Sequence, residues 1–305
     1  MDISIYLKAL SDPTRIRLAN ILFFHELSVN ELVDIMDMGQ SRISRHLKIL
    51  TDAGILKCRR DGVWAFYSVT DIGHGKDLMT ALAPIMNLDS TLDSDTKKVQ
   101  RMLDKKKKHT ANFFDNVAAE WDRMKKELLG DFDLNLAISD LMQNSRTAID
   151  LGCGTGELLC HMAPFAEKLI GVDCSPEMLE EAKDKLRKKN INAEFRLGEL
   201  EHLPMRDHEA DLAVISMVLH HLTNPEEGIK EVSRILDHGG VFIFAEFSQH
   251  EKETLRTEYG DRWLGFAHDY IEGILQKNGL KPASQKEYDL PNGLKLNITK
   301  SIKIF

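Results

Sequence analysis

Two groups of residues in this 305-residue chain have types and spacings that suit chemistry. The first is Ala148-Ile149-Asp150-Leu151-Gly152-Cys153-Gly154-Thr155-Gly156, an apolar run that breaks into a glycine turn ahead of a helical stretch. Glycine lets the backbone bend sharply and approach a ligand with no Cβ in the way. The spacing is G-x-G-x-G and residue 157 is Glu, so the dinucleotide fingerprint G-x-G-x-x-G is not met. No Gly-Lys-Ser/Thr follows, so the loop lacks the phosphate cradle of a P-loop. A glycine turn without pyrophosphate machinery suits S-adenosylmethionine (SAM), which carries a sulfonium, an amino acid tail, a ribose and an adenine but no phosphate. Asp173 ends the next apolar run, 21 residues after Gly152. A carboxylate there can accept both ribose hydroxyls. Glu199, in Leu197-Gly198-Glu199-Leu200 after a third run, can accept from the adenine amino group. Asp150, Gly152, Cys153, Gly154, Gly156, Asp173, Cys174, Glu199, Leu200 and Ser216 are the expected cofactor-binding set.

The second group is Gln40, Ser41, Arg42, Ser44, Arg45, His46 and Lys48, a helical segment without an acid. Arginine grips guanine edges bidentately, and serine and lysine suit phosphates. Arg59 and Arg60 lie near an Asp61-Gly62 turn and are expected to reach the flanking DNA backbone. A net charge of −8 argues against a general nucleic-acid coat but not against such a local basic face.

Other candidates leave alternatives open. His220 and His221 follow a fourth apolar run and can act as a base or brace the pocket. Trp263 can lid an acceptor pocket or pack against it. The Lys97–His109 run holds seven Lys/Arg against one acid, Asp104, and reads as a solvated helix between domains rather than a second phosphate contact. No Asn/Asp-Pro-Pro-Tyr/Phe or Pro-Cys follows the fourth run, so no nucleic-acid-methylating signature is present and no acceptor class is indicated. Cys58, Cys153, Cys160 and Cys174 form no CxxC pair, which suits a reducing cytoplasm and predicts no metal site.

The elements that must position these residues can be read in order. Asp12-Pro13-Thr14 opens a helix with Pro13 near its first position. Ser28 and Glu31 form a capping box for a second helix, which Gly39 is expected to stop. Ser41 opens a third helix and Gly54 ends it. Ile55–Arg60 and Val63–Val69 then flank Asp61-Gly62 as a hairpin. Helix, turn, helix and a two-stranded wing make a winged helix-turn-helix. Residues 71 to about 145 carry helical patterns only. An apolar helix lies near Asp77–Met86, with Pro84 as a kink or early end, then a joint at Asp89–Thr96 and an amphipathic stretch at Phe113–Leu129. From Thr147, short apolar runs alternate with helical stretches, which means a mostly parallel sheet covered on both faces. The tail reads as a hairpin around Pro291-Asn292-Gly293.

The predicted fold is therefore multidomain. An N-terminal α+β winged helix-turn-helix occupies 1–72, a helical dimerisation or linker region 73–145, and a C-terminal α/β Rossmann-like domain with an antiparallel terminal hairpin 146–305. A hydrophobic fraction of 43% and a charged fraction of 29% suit soluble globular cores. No apolar run reaches the roughly 20 residues of a membrane span, and Met1-Asp2-Ile3-Ser4 lacks the start of a secretory signal. A cytoplasmic protein with no membrane partner is expected.

Residues from about 113 to 305 resemble class I SAM-dependent methyltransferases of the broad type that includes the quinone methylases. Phe113-Phe114-Asp115 with Ala118–Asp122, Asp150–Gly156, Gly171–Ser175, Asp211–Leu222, His238-Gly239-Gly240 and Phe244–Phe247 carry the likeness. It implies that Asp150, Gly152, Gly154, Asp173 and Glu199 line a SAM pocket, with Glu199 in place of the more usual Asp. Residues 6–72 resemble the ArsR/SmtB winged-helix repressors, through Ala9–Arg15 and through Ser41–Lys48 as recognition helix. That likeness implies a homodimer on a palindromic double-stranded operator, with Asp77–Met86 as its dimerisation helix. The family's metal sensors place thiolates where Ser28 and Asn30 stand here, so soft-metal sensing there is not expected. Two functions follow. One is a repressor whose C-terminal domain senses SAM or S-adenosylhomocysteine (SAH). The other is an active small-molecule methyltransferase whose DNA-binding part controls its own operon.

Overall fold

A computed structural model describes residues 3–304. Met1, Asp2 and Phe305, at the outer ends of the expected 1–72 and 146–305 domains, lie outside the described residues. The chain divides into two compact units, Met1–Lys106 and Lys107–Phe305. The stretch 73–145, expected as a region of its own, is shared between them.

In the first unit, helix Pro13–Phe24 starts where Asp12 accepts the backbone N–H of Thr14 and Arg15 at 2.8 and 3.2 Å. Helix Val29–Met36 carries the Ser28–Glu31 capping box, with Ser28 N–H donating to Glu31 Oε2 at 2.6 Å. Two orphan donors of the first turn are thereby satisfied. Gly39 does not stop this helix. Asp37 takes the left-handed cap at φ 51°, and Gly39 instead precedes helix Gln40–Asp52. Strand β1 (Leu27–Ser28) pairs with β3 (Trp64–Val69), which pairs antiparallel with β2 (Leu56–Asp61) through Asp61 and Trp64 at the expected turn. β1 is too short to show alternation in sequence. Leu18, Leu22, Leu32, Ile43, Leu47 and Leu50 are fully buried between these elements.

Pro84 does not end the following helix, which runs His74–Met86. It falls in the last turn, so only two residues of the helix follow the donor it removes. The joint expected at Asp89–Thr96 is helical. Asp89 accepts from Thr91 and Leu92 N–H at 2.8 and 3.1 Å and starts helix Ser90–Val117. Asp, Ser and Thr favour caps as much as loops, which is why the composition pointed elsewhere. In this unit Leu92, Val99 and Leu103 join the core, and buried Asp95 takes a bidentate hydrogen bond from Arg17 at 2.6 and 2.8 Å.

The second unit is a seven-stranded sheet with a short helical segment (Trp121–Leu129, Leu134–Ser139) ahead of it. Its strands are β4 (Ser145–Leu151), β5 (Ala166–Asp173), β6 (Glu194–Leu197), β7 (Ala210–Ser216), β8 (Leu236–Phe247), β9 (Leu280–Asp289) and β10 (Lys295–Lys303). The order is β6-β5-β4-β7-β8-β10-β9. The first five are mutually parallel, and β10 is antiparallel to both β8 and β9. Helices Glu157–Met162, Pro176–Lys188, Pro225–Ile235 and His268–Lys277 connect the strands. Two apolar clusters bury the sheet, one around Ile149, Ile170 and Phe242, the other around Leu159, Val214 and Ile243. Strand order reverses at β4, so the crevice beyond the carboxyl ends of β4 and β7 is where this sheet type binds ligands. No helix among the described residues is long and apolar enough to cross a membrane.

Candidate ligand cavity and nucleic-acid face

A cavity of about 460 Å³ opens at that crevice, within the size range of small-molecule sites. Gly152, Cys153, Gly154, Asp173, Cys174, Glu199, Leu200 and Ser216 stand in its wall, as does buried Asp150. Gly152 has φ +76°, and a Cβ there would sit 2.5 Å from Val218 Cγ2. Gly154 has φ +49° and faces the Trp121 indole. Gly156 departs from its expected role. It is not in the wall, and the space a Cβ would need is filled by Ala182 and Leu186 at 2.9 Å. Its part is close packing against helix Pro176–Lys188.

Asp173 fastens the glycine turn to β5. Its Oδ2 accepts from Gly154 N–H at 2.8 Å and its Oδ1 from Ser175 N–H at 2.9 Å. Burial pushes its carboxyl up, against the pull of those hydrogen bonds. Asp150 is wholly buried. Burial drives its pKa to about 7, with Lys125 opposing and Asp173 adding. Glu199 is engaged by Lys107 Nζ at 2.8 Å, and the same ammonium lies 3.4 Å from Glu201.

Several wall residues were not singled out as site residues from the sequence: Lys107, Phe114, Trp121, Asp122, Lys125 and Glu201. Hydrogen bonds draw the 113–122 segment onto the glycine turn. Thr155 Oγ1 and Lys185 Nζ donate to Asp122 at 2.5 Å each, and Ser175 Oγ donates to Asp115 at 2.6 Å. The available signal was Phe113-Phe114-Asp115 with Ala118–Asp122, which carried the family likeness but had no chemical role attached to it.

The two histidines separate. His220 is buried behind the wall. Its Nδ1 lies 2.6 Å from Glu246 Oε2, and its Nε2 lies 3.6 Å from Asp261 Oδ1. Glu246 Oε1 also accepts from Val218 and Leu219 N–H at 2.9 and 2.7 Å. Burial disfavours a charged His220, but Glu246 and Asp261 outweigh it and raise its pKa to about 9. Burial raises Asp261 to about 6 despite the attraction of His220. His221 stands in the wall with its ring T-shaped against that of Phe114, centroids 4.9 Å apart. Burial, then the neighbouring His220, pushes it well below the usual imidazole range. Ligand-type atoms of His220, His221 and Asp261 lie within 4.8 Å of one another, near enough to share a cation. Trp263 packs: its indole N–H donates to Leu222 O at 3.0 Å and its ring stacks on Tyr270, outside the cavity wall.

In the first unit, helix Gln40–Asp52 buries Ile43, Leu47 and Leu50 and exposes Gln40, Ser41, Arg42, Ser44, Arg45 and Lys48 on its outer side. Arg60 is exposed as well. Two expected contacts lie elsewhere. His46 is half-buried, with Nδ1 3.9 Å from Asp12. Arg59 folds back, pairing with Glu26 at 2.9 Å and Asp61 at 3.3 Å over the Phe66 ring. Glu26 precedes β1, the strand the sequence did not show, so this pairing had no local signal. The Lys97–His109 run is not simply solvated. Lys97 pairs with Asp93 at 2.7 Å, Lys98 donates to Ile35 O at 3.4 Å, Lys106 pairs with Glu31, and Lys107 holds Glu199.

Residues 12–57 match the family model for the bacterial regulatory protein arsR family, and residues 149–244 match that for a methyltransferase domain. The chain joins an arsR-type domain to a methyltransferase domain. It is 29% identical over 139 residues to the uncharacterized methyltransferase YcgJ of Bacillus subtilis, covering 45% of this chain and 55% of that protein. It is 27% identical over 164 residues to the ubiquinone/menaquinone biosynthesis C-methyltransferase UbiE of Pseudomonas putida, covering 50% and 64%. The chain thus spans less than two thirds of the length of these relatives. A SAM-dependent methyltransferase structure from Thermotoga maritima superposes with a TM-score of 0.52 at 20% identity, over 64% of this chain and all of that one. The [4+2]-cyclase SpnF superposes with a TM-score of 0.50 at 17% identity, over 56% and 80%. These likenesses define the fold of the methyltransferase domain. A fold shared with a cyclase does not by itself assign a reaction.

Proposed function

We propose that this protein is a DNA-binding transcriptional regulator whose methyltransferase domain binds SAM or SAH and makes operator affinity depend on it. The observation that carries this reading is one chain with two recognition surfaces of different chemistry. The first unit offers Arg42, Arg45 and Lys48 on an exposed helix face. The second offers a cavity walled by Gly152, Gly154, Asp173 and Glu199. The residues fit the ligand. Positive φ at Gly152 and Gly154 opens the cradle. Asp173 keeps lone pairs for ribose hydroxyls, Glu199 can accept from adenine, and Lys125 offers an ammonium to the amino acid carboxylate. When bound, SAM supplies an electrophilic methyl group on sulfur.

Helix Gln40–Asp52 enters the major groove in this reading, Arg60 reaches the flanking backbone, and a homodimer reads two half-sites. A ligand changes DNA affinity only if it binds the DNA-competent and incompetent states unequally. The test is selection of duplexes from a random pool by the full chain, then binding titrations of the enriched duplex with and without SAM and SAH. Failure to enrich any duplex, or identical affinity under all three conditions, ends the proposal.

One observation favours a second reading, methyl transfer to a small molecule. His221 is a neutral imidazole in the wall with one ring nitrogen uncommitted. Labelled SAM offered with a metabolite extract tests for turnover.

A further inference from the structure

We infer that His221 is a catalytic proton acceptor for a neutral hydroxyl compound, so that the methyl group goes to oxygen rather than to an amine. This rests on the transfer reading above and names the acceptor class for that site.

The inference begins with a tautomer. His221 Nδ1 lies 3.2 Å from the Gly260 carbonyl, which can only accept. Nδ1 therefore carries the hydrogen, and Nε2 presents a lone pair. Nε2 is buried and has no hydrogen-bond partner among the described residues, while the residue itself stands in the cavity wall. A buried, unmatched acceptor on a residue of the cavity wall calls for a donor, which a hydroxyl ligand can bring.

The surroundings keep His221 neutral. His220 lies against it with ring centroids 4.1 Å apart and is itself held as a cation by Glu246 and Asp261. A cationic neighbour and full burial both disfavour a second positive charge at this place. An ammonium acceptor has no lone pair on nitrogen with which to attack the methyl carbon. Such an acceptor would have to lose a proton before reacting, and a weakened imidazole is a poor base for that step. A hydroxyl needs no prior deprotonation. As its oxygen forms a bond to the methyl carbon, the carbon–sulfur bond breaks and sulfur keeps the electron pair. The oxygen becomes strongly acidic, and its proton passes to His221 Nε2 and then to water. Even a weak base accepts that late proton. Phe114, Trp121, Val218 and Leu222 share the wall and suit an apolar, flat body such as a phenol.

The experiment uses the full chain saturated with SAH and labelled with 15N at histidine. Near neutral pH, His221 Nε2 should resonate as an unprotonated nitrogen. It should shift on adding phenol or 2-naphthol, and not with anisole or benzylamine. With methyl-labelled SAM, the better hydroxyl probe should yield the methyl ether, and His221→Ala should lower kcat for that product about 100-fold. A protonated Nε2, no response to either hydroxyl probe, or methylation of benzylamine instead overturns the inference. A chain that does not bind SAH fails the ligand reading itself, so the two failures are distinguishable.

Discussion

The ammonium of Lys107 lies 2.8 Å from Glu199 and 3.4 Å from Glu201, which places a cation on the acid expected to receive the ligand's adenine. Burial disfavours the charge, yet the two carboxylates still hold the Lys107 pKa above its usual value. Lys107 therefore competes with the adenine amino group for Glu199 and adds positive charge to a cavity meant for a cationic sulfonium.

Replacing it with methionine should tighten SAM binding. Glu199 is about half exposed, and pairs of that kind contribute only about 0.2–1 kcal/mol, so the expected gain is about two- to fivefold by calorimetric titration. Weaker binding of SAM by Lys107→Met would mean that the lysine orients Glu199 for the ligand instead of occupying it.

Two arginines that look alike in sequence should behave differently on DNA. Arg45 is exposed on the outer face of helix Gln40–Asp52, whereas Arg59 is paired with Glu26 and Asp61. Arg45→Ala should weaken operator binding by about 1–3 kcal/mol and leave the melting temperature nearly unchanged. Arg59→Ala should lower the melting temperature, by loss of a partly screened pair worth about 1 kcal/mol, with little change in DNA affinity. Fluorescence anisotropy and thermal melting on both variants settle the contrast.

The buried His220 predicts a pH dependence of stability. Its folded pKa is raised to about 9, above the ordinary value near 6.5 of an unfolded chain. Its contribution is therefore fully present below about pH 6.5 and is lost as pH rises through about 9. Asp261 adds a loss of the same sign at lower pH, since its folded pKa is raised to about 6. His220→Gln should cost about 3 kcal/mol, because it leaves buried carboxylates without their cation. It should also flatten the decline in denaturant midpoint between pH 7 and pH 9.5. A variant that keeps the wild-type slope would place the titrating group elsewhere.

What was legible in the sequence was mostly local. The Ser28–Glu31 box, Pro13 at a helix start and the Asp61-Gly62 turn each signal through neighbours a few residues apart. Asp150, Gly152 and Asp173 were legible because each lies at or beside the carboxyl end of a strand, and strand ends in this topology converge on one crevice. The misses are tertiary. Lys107, Trp121 and Lys125 reach the cavity from helices ahead of the sheet, and although Phe113–Leu129 reads as amphipathic and carries the family likeness, local pattern does not say that this segment packs on the glycine turn. Arg59 was assigned by its distance from the turn, yet Glu26, 33 residues away, decides where it points. Gly156 belongs to the glycine pattern, but the contact that requires glycine there is Ala182, not a ligand.

Glycines of nearly equal φ but different surroundings give the last prediction. Gly152 and Gly239 have φ of +76° and +75°, where an L-residue costs roughly 1–2 kcal/mol. Alanine at 239 meets nothing within 4 Å, so Gly239→Ala should lower stability by that amount alone and leave SAH affinity unchanged. Alanine at 152 meets Val218 Cγ2 at 2.5 Å and Cγ1 at 2.8 Å. Relief requires Val218 or the glycine turn to move, and both belong to the cavity wall. Gly152→Ala should therefore lose SAH binding by more than tenfold in addition to the shared backbone cost. Equal SAH affinity in the two variants, measured calorimetrically on folded protein, would remove the glycine turn from the ligand site.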